Sequence, residues 1–99
     1  MAMVWTHGMW TAKPGNEDEF IAAWNELADW TTANFAGAQG TLLRDREHPN
    51  VFISFGPWPD LETVQAWRAS DGFRDRVGRI QQTLESFEPR TLDLVTTTR

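Results

Sequence analysis

Cysteine and tyrosine are both missing from this chain, and histidine occurs only twice. Without cysteine there is no disulfide, thiolate metal site, iron–sulfur cluster or cysteine nucleophile. His7 and His48 are too few for a histidine metal cage, so no metal site is expected. Glycine-rich phosphate loops are also lacking, and no cofactor is expected. Nine Lys and Arg against fourteen Asp and Glu leave a net charge of −5. That balance disfavours nucleic acid or an anionic membrane as partner. No apolar run approaches a membrane span, and the opening residues lack the basic-then-apolar layout of a signal peptide. A soluble, cytoplasmic protein is the expectation.

What is abundant is aromatic surface. The 99 residues carry six Trp and six Phe in an otherwise ordinary globular composition, 40% hydrophobic and 23% charged. One domain, residues 1–99, is expected. A chain of this size buries only about two-thirds of its unfolded surface. Each large aromatic can bury roughly 150–250 Å². Twelve of them strain a monomer's core, which points to an aromatic pocket, an oligomer interface, or both.

Residues 3–12 are short, aromatic and β-branched and end before Lys13-Pro14-Gly15, which predicts a strand. Asn16 followed by Glu19 has the spacing of a capping box. Phe20, Trp24, Leu27 and Thr31 then share one helical face, opposite Asn25, Glu26, Asp29 and Thr32, in a helix ending near Gly37. Strands are predicted over 38–45 and 51–57, the second apolar on both faces and stopped by Pro57 and Pro59. Asp60 caps a short helix through Arg68. After Ser70-Asp71-Gly72 a further helical segment, with Phe73, Val77, Ile80, Leu84 and Phe87 on one face, runs to about Leu84. Pro89 precedes a last strand, TLDLVTT.

The order βαββαβ predicts an α+β, ferredoxin-like sandwich: a four-stranded antiparallel sheet with helices on one face. Right-handed crossovers put the first and third strands at the centre. The uncovered sheet face must bury its own aromatics, and a second copy of the sheet is the expected cover, giving a homodimer.

The stretch from Phe52 to Phe73, FISFGPWPDLETVQAWRASDGF, resembles the antibiotic biosynthesis monooxygenase family of dimeric α/β barrels. The likeness rests on Trp58 closing the third strand, a helix from Asp60, then Ala66-Trp67-Arg68 with Ser70 and Phe73. Upstream, GAQGTLLRD (Gly37 to Asp45) is similar to the family's second strand. One branch of the family oxidises polycyclic phenols to quinones with dioxygen and no cofactor. It uses an Asn four residues before the strand-ending Trp, together with a Tyr and an Arg. Trp58 matches that Trp, Ser54 stands at the Asn position, and the Tyr has no counterpart. A second branch binds and degrades haem through a first-strand Asn, a helix Trp and an axial His ten residues later. Trp67 matches that Trp, but Val77 occupies the His position, and the first strand offers His7 and Gly8 near the Asn.

The resemblance implies a monooxygenase acting without cofactor on a small, electron-rich aromatic, a polyketide-like phenol or anthrone, with dioxygen as co-substrate. A non-enzymatic ligand-binding or stress-related dimer and a haem protein are the alternatives. Such an oxygenation needs a base, a donor to steady an oxyanion, and a dry pocket for a flat ring. His7 is the candidate base or proton relay, or else a hydrogen-bonded histidine in the dimer-facing layer. Trp58 is the candidate oxyanion or carbonyl donor, or else a wedge under the second helix. Phe52, Ser54, Trp67 and Trp24 are the candidate substrate-binding residues, although helical spacing also suits Trp67 and Trp24 to the core. Trp10 is a candidate for the pocket mouth. Arg44 reads as part of a solvated charge run and Arg68 as a side chain reaching to solvent.

Overall fold

The computed structural model describes residues 3–98. Its elements are β1 (Val4–Ala12), α1 (Glu17–Asn34), β2 (Thr41–Arg44), β3 (Val51–Trp58), α2 (Leu61–Ala69), α3 (Asp71–Gln81) and β4 (Leu84–Asp93). The strands form one antiparallel sheet in the order β2-β3-β1-β4, with the first and third strands central as the crossover rule requires. The ferredoxin-like order is therefore the observed one, its second helical limb broken into α2 and α3 at Ser70.

Register decides which side chains meet the helices. Val4, Thr6, Gly8 and Trp10 pair with Trp58, Gly56, Ser54 and Phe52 and share the helix-facing side. Trp5, His7 and Met9 pair with Pro57, Phe55 and Ile53 on the far side. Under α1 and α3 the helix-facing layer packs Trp10, Ala12, Phe20, Leu27, Phe52, Ile80 and Leu84. A second cluster of Val4, Ala38, Trp58 and Val64 lies under α2.

Four local expectations need correction. Asn16 precedes α1 but makes no side-chain cap, because its backbone (φ −105°, ψ 14°) is not extended. Instead Glu17 turns back and accepts from the Gly15 N–H at 2.9 Å. β2 is shorter than expected, because the chain at Gln39 and Gly40 crosses directly over Gly56. β3 runs through Pro57 to Trp58. This is allowed because β2 pairing reaches only Phe55, leaving that edge of β3 open where the proline falls. Finally, the last strand starts at Leu84, before Pro89. Thr83 ends the helix by donating both its N–H and its hydroxyl to the Ile80 carbonyl, and Pro89 is tolerated because β4 is an edge strand.

Helix α2 starts as expected. The Asp60 carboxylate accepts from both the Thr63 hydroxyl and the Thr63 N–H, each at 2.7 Å. Those two bonds hold its pKa below the ordinary 3.8. The stabilisation is thus fully present above pH 3.8 and is lost as pH falls through the lower folded value. Thermal melts taken down the acid range should show a shallower decline for Asp60→Asn, which keeps an acceptor but cannot titrate. An unchanged acid slope would remove Asp60 from the acid response.

Candidate active site

Between the sheet and the helices lies a cavity of about 250 Å³. Its floor is the helix-facing side of the central strands: Thr6, Gly8 and Trp10 from β1, and Ser54, Gly56 and Trp58 from β3. Trp24, Leu27 and Thr31 of α1, Trp67 and Arg68 of α2, and Phe73 and Val77 of α3 supply the roof. Ala38, Gln39 and Gly40 close one side, and Phe87 and Pro89 of β4 border another.

Gly8 makes room for the site. A Cβ there would fall 2.8 Å from Trp10 Nε1 and 3.1 Å from Phe87, so the Trp10 indole lies back across bare backbone. Phe87 stacks on that indole with centroids 3.9 Å apart. Trp58, Trp67 and Phe73 form a second aromatic run, with centroid spacings of 4.8 and 4.5 Å.

The polar atoms of this wall follow one pattern. Trp10 Nε1 donates to Ser54 Oγ at 2.8 Å, Trp58 Nε1 to Thr6 Oγ1 at 3.1 Å, and Trp67 Nε1 to Thr31 Oγ1 at 2.9 Å. An indole N–H is a donor only, so a hydroxyl that accepts from it keeps its own proton to give. None of the three hydroxyls donates to another protein group among the described residues. Accepting one bond strengthens a hydroxyl as a donor for the next. The cavity therefore presents three pre-polarised O–H groups on aromatic walls.

Of the residues expected from sequence, Ser54, Trp58, Trp67 and Trp24 all border the cavity. Phe52 does not: it is 2% exposed and sealed behind Phe20 and the Arg44 guanidinium, 4.8 and 4.9 Å from its ring. His7 also stands differently. Strand alternation turns its ring to the far sheet face with Trp5 and Met9, where its Nδ1 is buried without a partner. His7 is nonetheless among the residues that border the cavity. The Trp58 indole N–H is already given to the Thr6 hydroxyl.

Sequence reasoning left out Thr6, Thr31 and Arg68. Thr31 sits in the expected apolar stripe of α1, and a hydroxyl at a core position was the available signal. Arg68 is half-buried, and its Nη1 donates to Thr91 Oγ1 at 2.6 Å. Burial lowers its guanidinium pKa from the usual range.

A sheet with helices on one face and an aromatic cavity between them gives the chain a ferredoxin-like fold with an internal aromatic cavity. The chain belongs to the antibiotic biosynthesis monooxygenase family, whose model matches residues 3–79. No curated protein matches it. Among solved structures it is similar to SnoaB, a cofactor-independent oxygenase from Streptomyces nogalater, at 22% identity and a TM-score of 0.87. That match covers 96% of this chain and 95% of the other. A conserved protein from Methanosarcina mazei Go1 is 18% identical with a TM-score of 0.83, covering 93% and 92%. Protein SO0527 from Shewanella oneidensis is 20% identical with a TM-score of 0.82, covering 93% and 90%. At these identities the structural likeness establishes the fold.

Proposed function

We propose that this chain is a cofactor-independent monooxygenase that oxidises an electron-rich aromatic, a polyketide-like phenol or anthrone, to a quinone with dioxygen. The observation that carries the reading is the cavity, aromatic on its walls and furnished with three hydroxyl donors held by indoles. Membership of the monooxygenase family and the likeness to a cofactor-independent oxygenase support the reaction class.

In this reading the substrate's conjugate base passes one electron to dioxygen and the two radicals combine at carbon. One oxygen atom becomes the new carbonyl and the other leaves as water with the two displaced hydrogens. The protein's part is to hold the ring flat between indoles, exclude water and stabilise the oxyanion through Ser54, with Thr6 and Thr31 as further donors. Trp58 and Trp67 polarise those threonines, and Trp24 completes the wall.

The same reading makes the working form a cytoplasmic homodimer closed across the far sheet face. On that face Met9, Leu43 and Leu92 are exposed, and Trp5 Nε1 and His7 Nδ1 are buried without partners. His7 then serves the interface rather than the reaction.

Oxygen uptake with a panel of anthrones and hydroquinones, set against uncatalysed autoxidation, tests the proposal. A saturable, protein-dependent rate with a quinone product is expected, and a flat response across the panel rejects it. On a turned-over substrate, Ser54→Ala is expected to lower kcat on the order of 10²-fold. His7→Phe should leave kcat within a factor of a few. The opposite ranking would return the base role to His7.

A further inference from the structure

We propose that the cavity selects an aromatic ligand that already carries an ionised oxygen, and that Arg68 is the residue that binds that charge. This rests on the aromatic-substrate reading of the cavity and adds the charge class of the ligand.

Arg68 is half-buried on α2 and borders the cavity. Among the described residues Arg68 is in neither of the ion pairs, which join His48 to Asp45 and Arg79 to Glu26. Its one hydrogen-bond partner is the neutral Thr91 hydroxyl, whereas a guanidinium has five N–H donors. No carboxylate borders the cavity, and His7, the other ionisable neighbour, turns its ring to the far face. A single cation thus stands uncompensated beside an otherwise uncharged, aromatic wall.

Its position gives the cavity a direction. Thr91, which Arg68 holds, is paired across the β1–β4 ladder with Thr6, and Thr6 accepts the Trp58 indole proton. Arg68, Thr91 and Thr6 therefore gather at one end, away from the stacked Trp10 and Phe87. A flat ring lying along the aromatic walls with its reacting oxygen at Ser54 would place a second, already ionised oxygen at this end. There it meets the planar fork of Arg68 and the Thr6 hydroxyl, in charge-assisted bonds stronger than those to a neutral oxygen. The desolvation that lowers the guanidinium pKa is relieved by the same anion. In a chain of net charge −5, such a site has to draw its ligand by local charge.

The experiment compares two matched probes, 2-naphthoate and 2-naphthamide, titrated against the full chain near neutral pH with tryptophan fluorescence as the readout. Naphthoate is expected to bind about 10- to 100-fold more tightly than the amide. Arg68→Gln should abolish that preference by weakening naphthoate far more than the amide, and a thermal melt of the variant checks that the pocket is still folded. Arg68→Lys should recover part of the preference. Equal affinity for the two probes, no binding of either, or a preference that survives Arg68→Gln would overturn the proposal. The test involves no turnover: naphthoate selectivity without oxygen uptake on any phenol would keep the anion site and reject the oxygenase reading.

Discussion

Truncating Phe20 to alanine is expected to cost about 3–5 kcal/mol, as buried Phe-to-Ala changes do. Phe20 is fully buried, and its ring packs 4.8 Å from Phe52 and 5.5 Å from Trp10 by centroid. It packs α1 against the central strands, so the hole would open under the helix that roofs the cavity. Small domains have about 5–15 kcal/mol in total, and a chain this short lies toward the lower end. Denaturant unfolding of Phe20→Ala should therefore show a midpoint cut to half or less, or no folded baseline. A shift of under about 1 kcal/mol would mean that the core collapses around the loss and that Phe20 is not its centre.

Gly56→Ala is expected to be as damaging for a different reason. A Cβ at position 56 would stand 1.8 Å from the Gln39 carbonyl oxygen and 3.3 Å from the Gly40 Cα. The obstacle is backbone, so no rotamer change relieves it. The segment leading into β2 would have to lift from β3. The cost should exceed the roughly 1–3 kcal/mol of ordinary overpacking. Because Ala38, Gln39 and Gly40 border the cavity, ligand affinity should fall together with stability. Gly40→Ala is the matched control. Its Cβ would meet only the Trp24 ring at 3.5 Å, an ordinary contact, and both properties should stay near wild type. Equal behaviour of the two variants in urea melts would show that the crossing is looser than its geometry.

The topology was readable because hydrophobic period and turn chemistry agreed along most of the chain. The 4-3-4 spacing of Phe20, Trp24, Leu27 and Thr31 made α1, and Asp60 marked the start of α2. Where the reading failed, an interaction distant in sequence had intervened. Leu84 and Phe87 continue the helical spacing of α3, but β1 takes them into the sheet, with Phe87 stacked on Trp10. The short β2 depends on a close crossing at Gly56 that no local pattern announces. The site was legible in part for the same reason. Alternation groups His7 with Trp5 and Met9, but only the register and burial reveal that the Gly8 face meets the helices. Ser54 and Trp58 fall on that face and His7 does not. The Trp10–Ser54 and Trp67–Thr31 bonds join residues 44 and 36 apart, beyond the reach of spacing arguments. Arg68 looked like a surface arginine because helix periodicity says nothing of the missing counter-charge.

The proline inside β4 has a consequence for how copies of this chain can stick together. A sheet edge ordinarily offers a row of unpaired N–H and C=O groups on which another strand can grow. β4 is one edge of the sheet, and Pro89 leaves a gap in its row of donors between the charged Glu88 and Arg90. At the other edge β2 spans only Thr41–Arg44, too short to template a long ladder. Both flanks thus resist strand-by-strand polymerisation. Any association between copies is thereby steered away from a fibre grown edge to edge.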